Sequence, residues 1–94
     1  MKLVFLASSA SGLIWFRRYY AESVPEGGRK ARVQFEAMKQ VLKANPFAGR
    51  AIEGRRSRLY VIPRTPFGVI YRIGEDRIEV LAVHDLRSDP SRPT

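Results

Sequence analysis

The sequence predicts an α+β domain: an N-terminal strand, an antiparallel helical hairpin, then a three-stranded antiparallel meander. Three observations lead there. Residues 58–83 hold three short apolar runs joined by tight turns. Residues 11–44 hold two stretches with apolar residues at helical spacing, parted by the breaker cluster Val24–Pro25–Glu26–Gly27–Gly28. Ahead of both, Leu3–Leu6 is a short apolar run. A chain of 94 residues is expected to be one domain, 1–94, with a thin core.

The elements follow in order. Leu3–Leu6 reads as a buried strand, because the run breaks at Ser8–Ser9, too early for a signal-peptide core. No window reaches the ~20 apolar residues of a membrane span, so a soluble, cytoplasmic protein is expected. Ser8, Ser9 and Ser11 offer N-caps for a helix ending near Ser23. Leu13, Phe16 and Tyr20 share one face of it. A second helix is expected from about Gly28 to Ala44, with Ala31, Phe35, Met38 and Leu42 as its buried stripe. Asn45–Pro46 ends that helix, and Pro46–Phe47–Ala48–Gly49–Arg50 reads as a turn. Strands follow over 58–62, 67–73 and 78–83, with Pro63–Pro66 and Gly74–Arg77 as the connections. The N-terminal strand is expected beside a C-terminal strand of this sheet. Residues 85–94 read as a polar, flexible tail.

Charge says more about partners than about fold. Seventeen basic against nine acidic residues give a formal charge of +8, and thirteen of the seventeen are arginine. Such an excess suits nucleic acid, the ribosome, an acidic protein or an anionic membrane surface, and arginine suits bidentate phosphate and carboxylate contacts. Without cysteine and with a single histidine, thiolate and histidine metal sites are excluded. No phosphate loop, HExxH motif or nucleophile elbow is present, so no metal and no cofactor is expected. His84 beside Asp85 is a candidate acid–base pair, but with no partner base or nucleophile in view a structural role at a strand end is the better expectation. Tyr60 and Tyr71 sit in apolar strands, where packing is expected over phenol catalysis. Trp15, Tyr19 and Tyr20 offer an aromatic surface, although such a helix usually buries its aromatics.

An ordered set of short phrases carries a family resemblance. These are the first strand and helical hairpin, Pro46–x–x–Gly49–Arg50, Arg58–x–Tyr60–x–Ile62, the run from Pro66 to Ile73, and the run from Val80 to Arg87. Together, over roughly residues 1–88, they resemble the RelE/ParE toxin superfamily of bacterial type II toxin–antitoxin modules, and the ParE branch more closely. The RelE branch implies a ribosome-dependent mRNA endonuclease, which needs groups to activate a 2′-hydroxyl and stabilise a pentavalent phosphate. The chain departs from that branch at Leu59 and Val61, where lysines would stand, at Gly68 after Phe67, where arginine would stand, and in a tail without an aromatic residue.

The ParE branch implies a toxin that binds and poisons DNA gyrase without chemistry of its own and is neutralised by an antitoxin. Position and charge then nominate Arg50, Arg58, Arg72, His84 and Arg87 as target contacts. A groove between the hairpin and the sheet, lined by Leu13, Phe16, Tyr20 and Phe35, is the expected antitoxin site, and an acidic antitoxin segment would be drawn by the net charge. Two alternatives stand beside gyrase. One is ribosome-dependent cleavage of mRNA; the other is a non-toxic RNA-binding domain stacking bases on Tyr60 and Tyr71.

Overall fold

In the computed structural model, residues 1–23 and 27–87 are described, except for the side chains of Tyr20, Glu22, Ser23, Gly27, Gly28 and Ala31. Strand β1 (Lys2–Phe5) leads through a 3₁₀ turn at Ala7–Ser9 into α1 (Ala10–Ser23), and α2 (Gly27–Ala44) follows. Four strands follow among the described residues: β2 (Arg50–Ala51), β3 (Ser57–Val61), β4 (Phe67–Ile73) and β5 (Arg77–Asp85). They form a five-stranded sheet in the order β1-β5-β4-β3-β2. β1 runs parallel to β5, and the other pairs are antiparallel. The expected α+β fold is therefore observed, with β1 beside the C-terminal strand.

The helices cover one face of the sheet. Phe67, Val69 and Tyr71 of β4 and Ile78, Val80 and Val83 of β5 point into the core beside Phe16, Met38, Leu42 and Ile62. Phe16 meets Phe67 edge-on at 4.9 Å between ring centroids, and Tyr19 meets the same ring at 5.5 Å. Tyr19 thus makes a core contact expected of its neighbour Tyr20, whose side chain lies outside the described residues. In α2 the predicted stripe faces the core, with Met38 and Leu42 buried and Phe35 half-buried, while the Ala31 side chain lies outside the described residues.

Two local devices fix α1 on the sheet. The pairing of β4 with β5 slips between Ile70 and Tyr71, so that Leu81 is an extra, bulged residue. Ser8 donates its hydroxyl to the Leu81 carbonyl at 2.6 Å, and Ser9 donates to Leu6 at 2.7 Å. These serines satisfy carbonyls, where the sequence suggested helix-capping acceptors. At Gly12 the α1 backbone lies against the backbone of Val83, and a Cβ there would collide with the Val83 carbonyl. Glycine at this position costs helix propensity but permits the close approach.

Boundaries shift at both ends of the meander. Arg50–Ala51, expected in a turn, pairs with Leu59 and Arg58 as a two-residue strand. β5 continues through Asp85, and the Leu86 amide donates to the Pro66 carbonyl at 2.9 Å. Residues 85–87, expected to belong to the flexible tail, are therefore held by hydrogen bonds; residues 88–94 lie outside the described residues.

Candidate functional site

The register divides the nominated basic residues between the two faces of the sheet. Arg50, Leu59, Ile70 and Ala82 stand in one cross-strand row on the face away from the helices. Val61, Gly68 and His84 form the next row, and Arg72 with Glu79 lies in the row beyond Ile70. Arg50, Arg72 and His84 thus share one open face, around an apolar centre of Leu59, Val61, Ile70 and Leu86. Gly68 is buried beneath that centre. A Cβ at Gly68 would stand 2.8 Å from a Leu59 methyl and 3.2 Å from a Leu86 methyl, so no larger residue fits without displacing them. At one end of the face, Arg72 and Arg77 both pair with Glu79, and the Arg72 hydrogen bond is the main reason the Glu79 carboxyl titrates below its ordinary range.

Arg58 does not belong to that face. It stands in register with Tyr71 on the helix side, where both hold the turn after α2. The Tyr71 hydroxyl accepts from the Gly49 amide at 2.9 Å and donates to the Pro46 carbonyl at 2.6 Å. Arg58 donates its Nε to the Gly49 carbonyl at 2.8 Å, and its guanidinium lies 5.2 Å from the centre of the Phe47 ring. A Cβ at Gly49 would come within 2.8 Å of the Tyr71 hydroxyl, so Pro46–x–x–Gly49 is the fold's way of seating a buried phenol. Tyr71 is fully buried, which removes it as a platform for stacked bases, and Tyr60 faces the helices.

Arg87 is likewise engaged. Its guanidinium makes a two-pronged contact with Asp85 at 3.0 and 2.8 Å, lies 4.6 Å from the Tyr19 ring centre, and donates to the Tyr19 hydroxyl at 3.3 Å. Trp15 donates its indole N–H to the same carboxylate at 3.2 Å. Arg87 above all, and then Trp15, hold the Asp85 carboxyl down to about 2, against the opposing effect of burial. The Arg87 guanidinium is in turn pushed above its ordinary range by Asp85. This cluster ties the end of β5 to α1. Its signals were present in the sequence as Asp85–x–Arg87, the spacing at which an aspartate accepts from the amide two residues on, and Trp15–x–x–x–Tyr19, which share a helix face.

The apolar groove also differs from its expected place. The space between hairpin and sheet is filled by Phe16, Met38, Leu42 and the inward residues of β4 and β5. The open groove instead runs between α1 and α2, with a volume of about 500 Å³. Leu13, Phe16, Ala21 and Phe35 form its apolar lining, with Arg17, Arg32 and Glu36 at the polar positions. Phe16 is only 2% exposed and is core first, whereas Leu13 and Phe35 are half-buried. Phe35 is braced by Phe5 at 5.5 Å and Phe16 at 5.6 Å. Tyr20, the fourth expected groove residue, has its side chain outside the described residues.

A two-helix, five-stranded architecture with these phrases in place invites comparison with known proteins. The model for the ParE toxin of the type II toxin–antitoxin system parDE matches residues 8–90. This chain belongs to the ParE toxin family. Among solved structures, the ParE-family fold seen here is similar to a chain described as the chromosomal ParDE TA system from P. aeruginosa, at 25% identity and a TM-score of 0.61. That likeness covers 88% of this chain and 92% of the other. No curated protein sequence gives a match. No helix among the described residues of this ParE-family toxin is long and apolar enough to cross a membrane.

Proposed function

We propose that this ParE-family chain arrests growth by binding and poisoning DNA gyrase, without chemistry of its own, and that a cognate antitoxin neutralises it in the cytoplasm. The observation that carries the reading is the closed apolar centre of the open sheet face. Leu59 and Leu86 lie over Gly68, and Leu59, Val61 and Gly68 stand where the nuclease branch would carry charged groups around a scissile phosphate. Positive charge survives at the margin, in Arg50 and Arg72, and His84 lies beside it. An apolar centre with a polar rim is the anatomy of a protein-binding face. Arg50, Arg72 and His84 are the proposed target contacts; Arg58 and Arg87 act by holding structure.

The antitoxin's place in this reading is the groove between α1 and α2. Its apolar lining suits one face of an amphipathic segment. Arg17 and Arg32 make no ion pair with a described residue, while Glu36 is paired with Lys39 at 2.9 Å. Among the described residues the unspent charge at the groove is positive, which favours an acidic segment.

Controlled expression in a bacterial host tests the reading. Growth arrest with an induced DNA-damage response is expected, together with rescue by the acidic protein encoded beside the toxin. Arrest with truncated transcripts and no damage response would instead support mRNA cleavage.

A further inference from the structure

A second cavity, of about 420 Å³, lies between another flank of α2 and the β3–β4 turn. Arg29, Lys30, Val33 and Gln34 line it from the helix, and Arg64 lines it from the turn. All three cations are exposed, and none makes an ion pair or hydrogen bond with a described residue. That sets them apart from Arg58, Arg72, Arg77 and Arg87, each of which is engaged. Arg64 also has φ of 63°, a left-handed conformation. The turn is closed by the Thr65 amide and hydroxyl, which donate to the Ile62 carbonyl at 3.2 and 2.9 Å. Pro63 and Arg64 are its central residues, and the second of these is where such a turn favours glycine or asparagine. At this position a long cationic side chain lines the same cavity as Arg29 and Lys30.

We propose that Arg29, Lys30 and Arg64 form a cradle for the phosphodiester backbone of a nucleic-acid duplex. Three like charges without a counterion among the described residues are drawn to an anion, and two guanidinium forks match phosphate geometry. The Gln34 amide adds a donor. Among the described residues no carboxylate and no aromatic ring lines the cavity. Without an aromatic ring there is nothing on which unpaired bases would stack, which favours a duplex over a single strand. Val33 is the one apolar side chain, too little to seat an acidic protein segment, for which the α1–α2 groove is better built. Contact is with backbone only, so binding is independent of base sequence. The cradle stands apart from the gyrase reading, because duplex binding is measurable on the toxin alone.

The test is a titration of the full-length toxin against a short labelled DNA duplex of random sequence, and against the RNA duplex of the same sequence. Each phosphate contact contributes about 0.9 to the slope of log affinity against log salt, so R29Q/K30Q/R64Q should flatten that slope by about 2.7. Between about 50 and about 200 mM salt this is a roughly 40-fold smaller loss of affinity. K43Q/R55Q/R56Q removes the same charge from exposed positions outside the cradle and should flatten the slope by less than about 1. R64G should leave the melting temperature equal or higher, since glycine suits the turn, and still weaken binding. This pattern on either duplex supports the cradle, and the tighter duplex names its source. Equal losses in the two triple variants, displacement of the duplex by an acidic peptide at matched charge, or no binding to either duplex would overturn it.

Discussion

On the helix-facing side of the sheet, polar and charged side chains are tied into the fold; on the open face, Arg50, His84 and the apolar centre meet solvent. Arg58 and Tyr71 hold the turn after α2, and Asp85 and Arg87 hold the end of β5 to α1. Across the same strands, Arg50, Arg72 and His84 surround a flat centre that Gly68 keeps low. Arg50 and Arg58, on neighbouring strands, therefore differ: Arg58 is tied to the turn after α2, whereas Arg50 makes no ion pair with a described residue, and Arg72 on the open face is paired with Glu79. Positive charge by itself does not distinguish a target contact from a structural clasp.

Substitutions on the two faces should separate along that line, stability on one side and inhibition on the other. The largest loss of stability is expected from Phe67→Ala, which empties a fully buried site against Phe16 and Tyr19, at about 4 kcal/mol in denaturant unfolding. Gly12→Ala should cost about 3 kcal/mol, because its methyl group would meet the Val83 backbone and α1 must lift from β5. Tyr71→Phe keeps the ring but strands the Gly49 amide and the Pro46 carbonyl, at about 2 kcal/mol.

The Asp85 clasp has a pH signature. Its carboxyl is depressed in the fold, so the stability it contributes is fully present above about pH 4 and lost as pH falls towards 2. Asp85→Asn should cost about 1 kcal/mol at neutral pH and flatten that acid limb, as read from urea midpoints across pH. At the small end, Arg50→Ala should change stability by less than about 0.5 kcal/mol and yet reduce growth inhibition. An Arg50→Ala variant that unfolds, or a Tyr71→Phe variant of full stability, would break the division between the faces.

Much of this was legible in the sequence. The helical stripe of Phe35, Met38 and Leu42 follows from periodicity and the strands of the meander from apolar runs parted by turns, and the family followed from the order of short phrases. The sequence was less informative where two distant elements meet. Nothing local shows that Gly12 lies on Val83, that Ser8 answers a bulge at Leu81, or that Tyr71 reaches back to Pro46. The five basic candidates could not be sorted along the chain for the same reason. Arg50, Arg58, Arg72, His84 and Arg87 look alike along the chain, and only cross-strand register shows which share a face. The groove between α1 and α2 keeps Leu13, Phe16 and Phe35 of the expected lining, but Phe16 is spent mainly on contact with Phe67 in the core.

The central claim is that the toxin acts by binding gyrase through the open sheet face. The most direct measurement is a supercoiling and DNA-cleavage assay with purified gyrase, comparing the unaltered toxin with Arg50→Ala and Tyr60→Phe. The account predicts a trapped cleavage complex with the unaltered toxin that the antitoxin removes, weakened by Arg50→Ala and retained by Tyr60→Phe, whose position faces the helices. Unimpaired supercoiling with no trapped cleavage at micromolar toxin, or equal activity of Arg50→Ala and the unaltered protein, would contradict it.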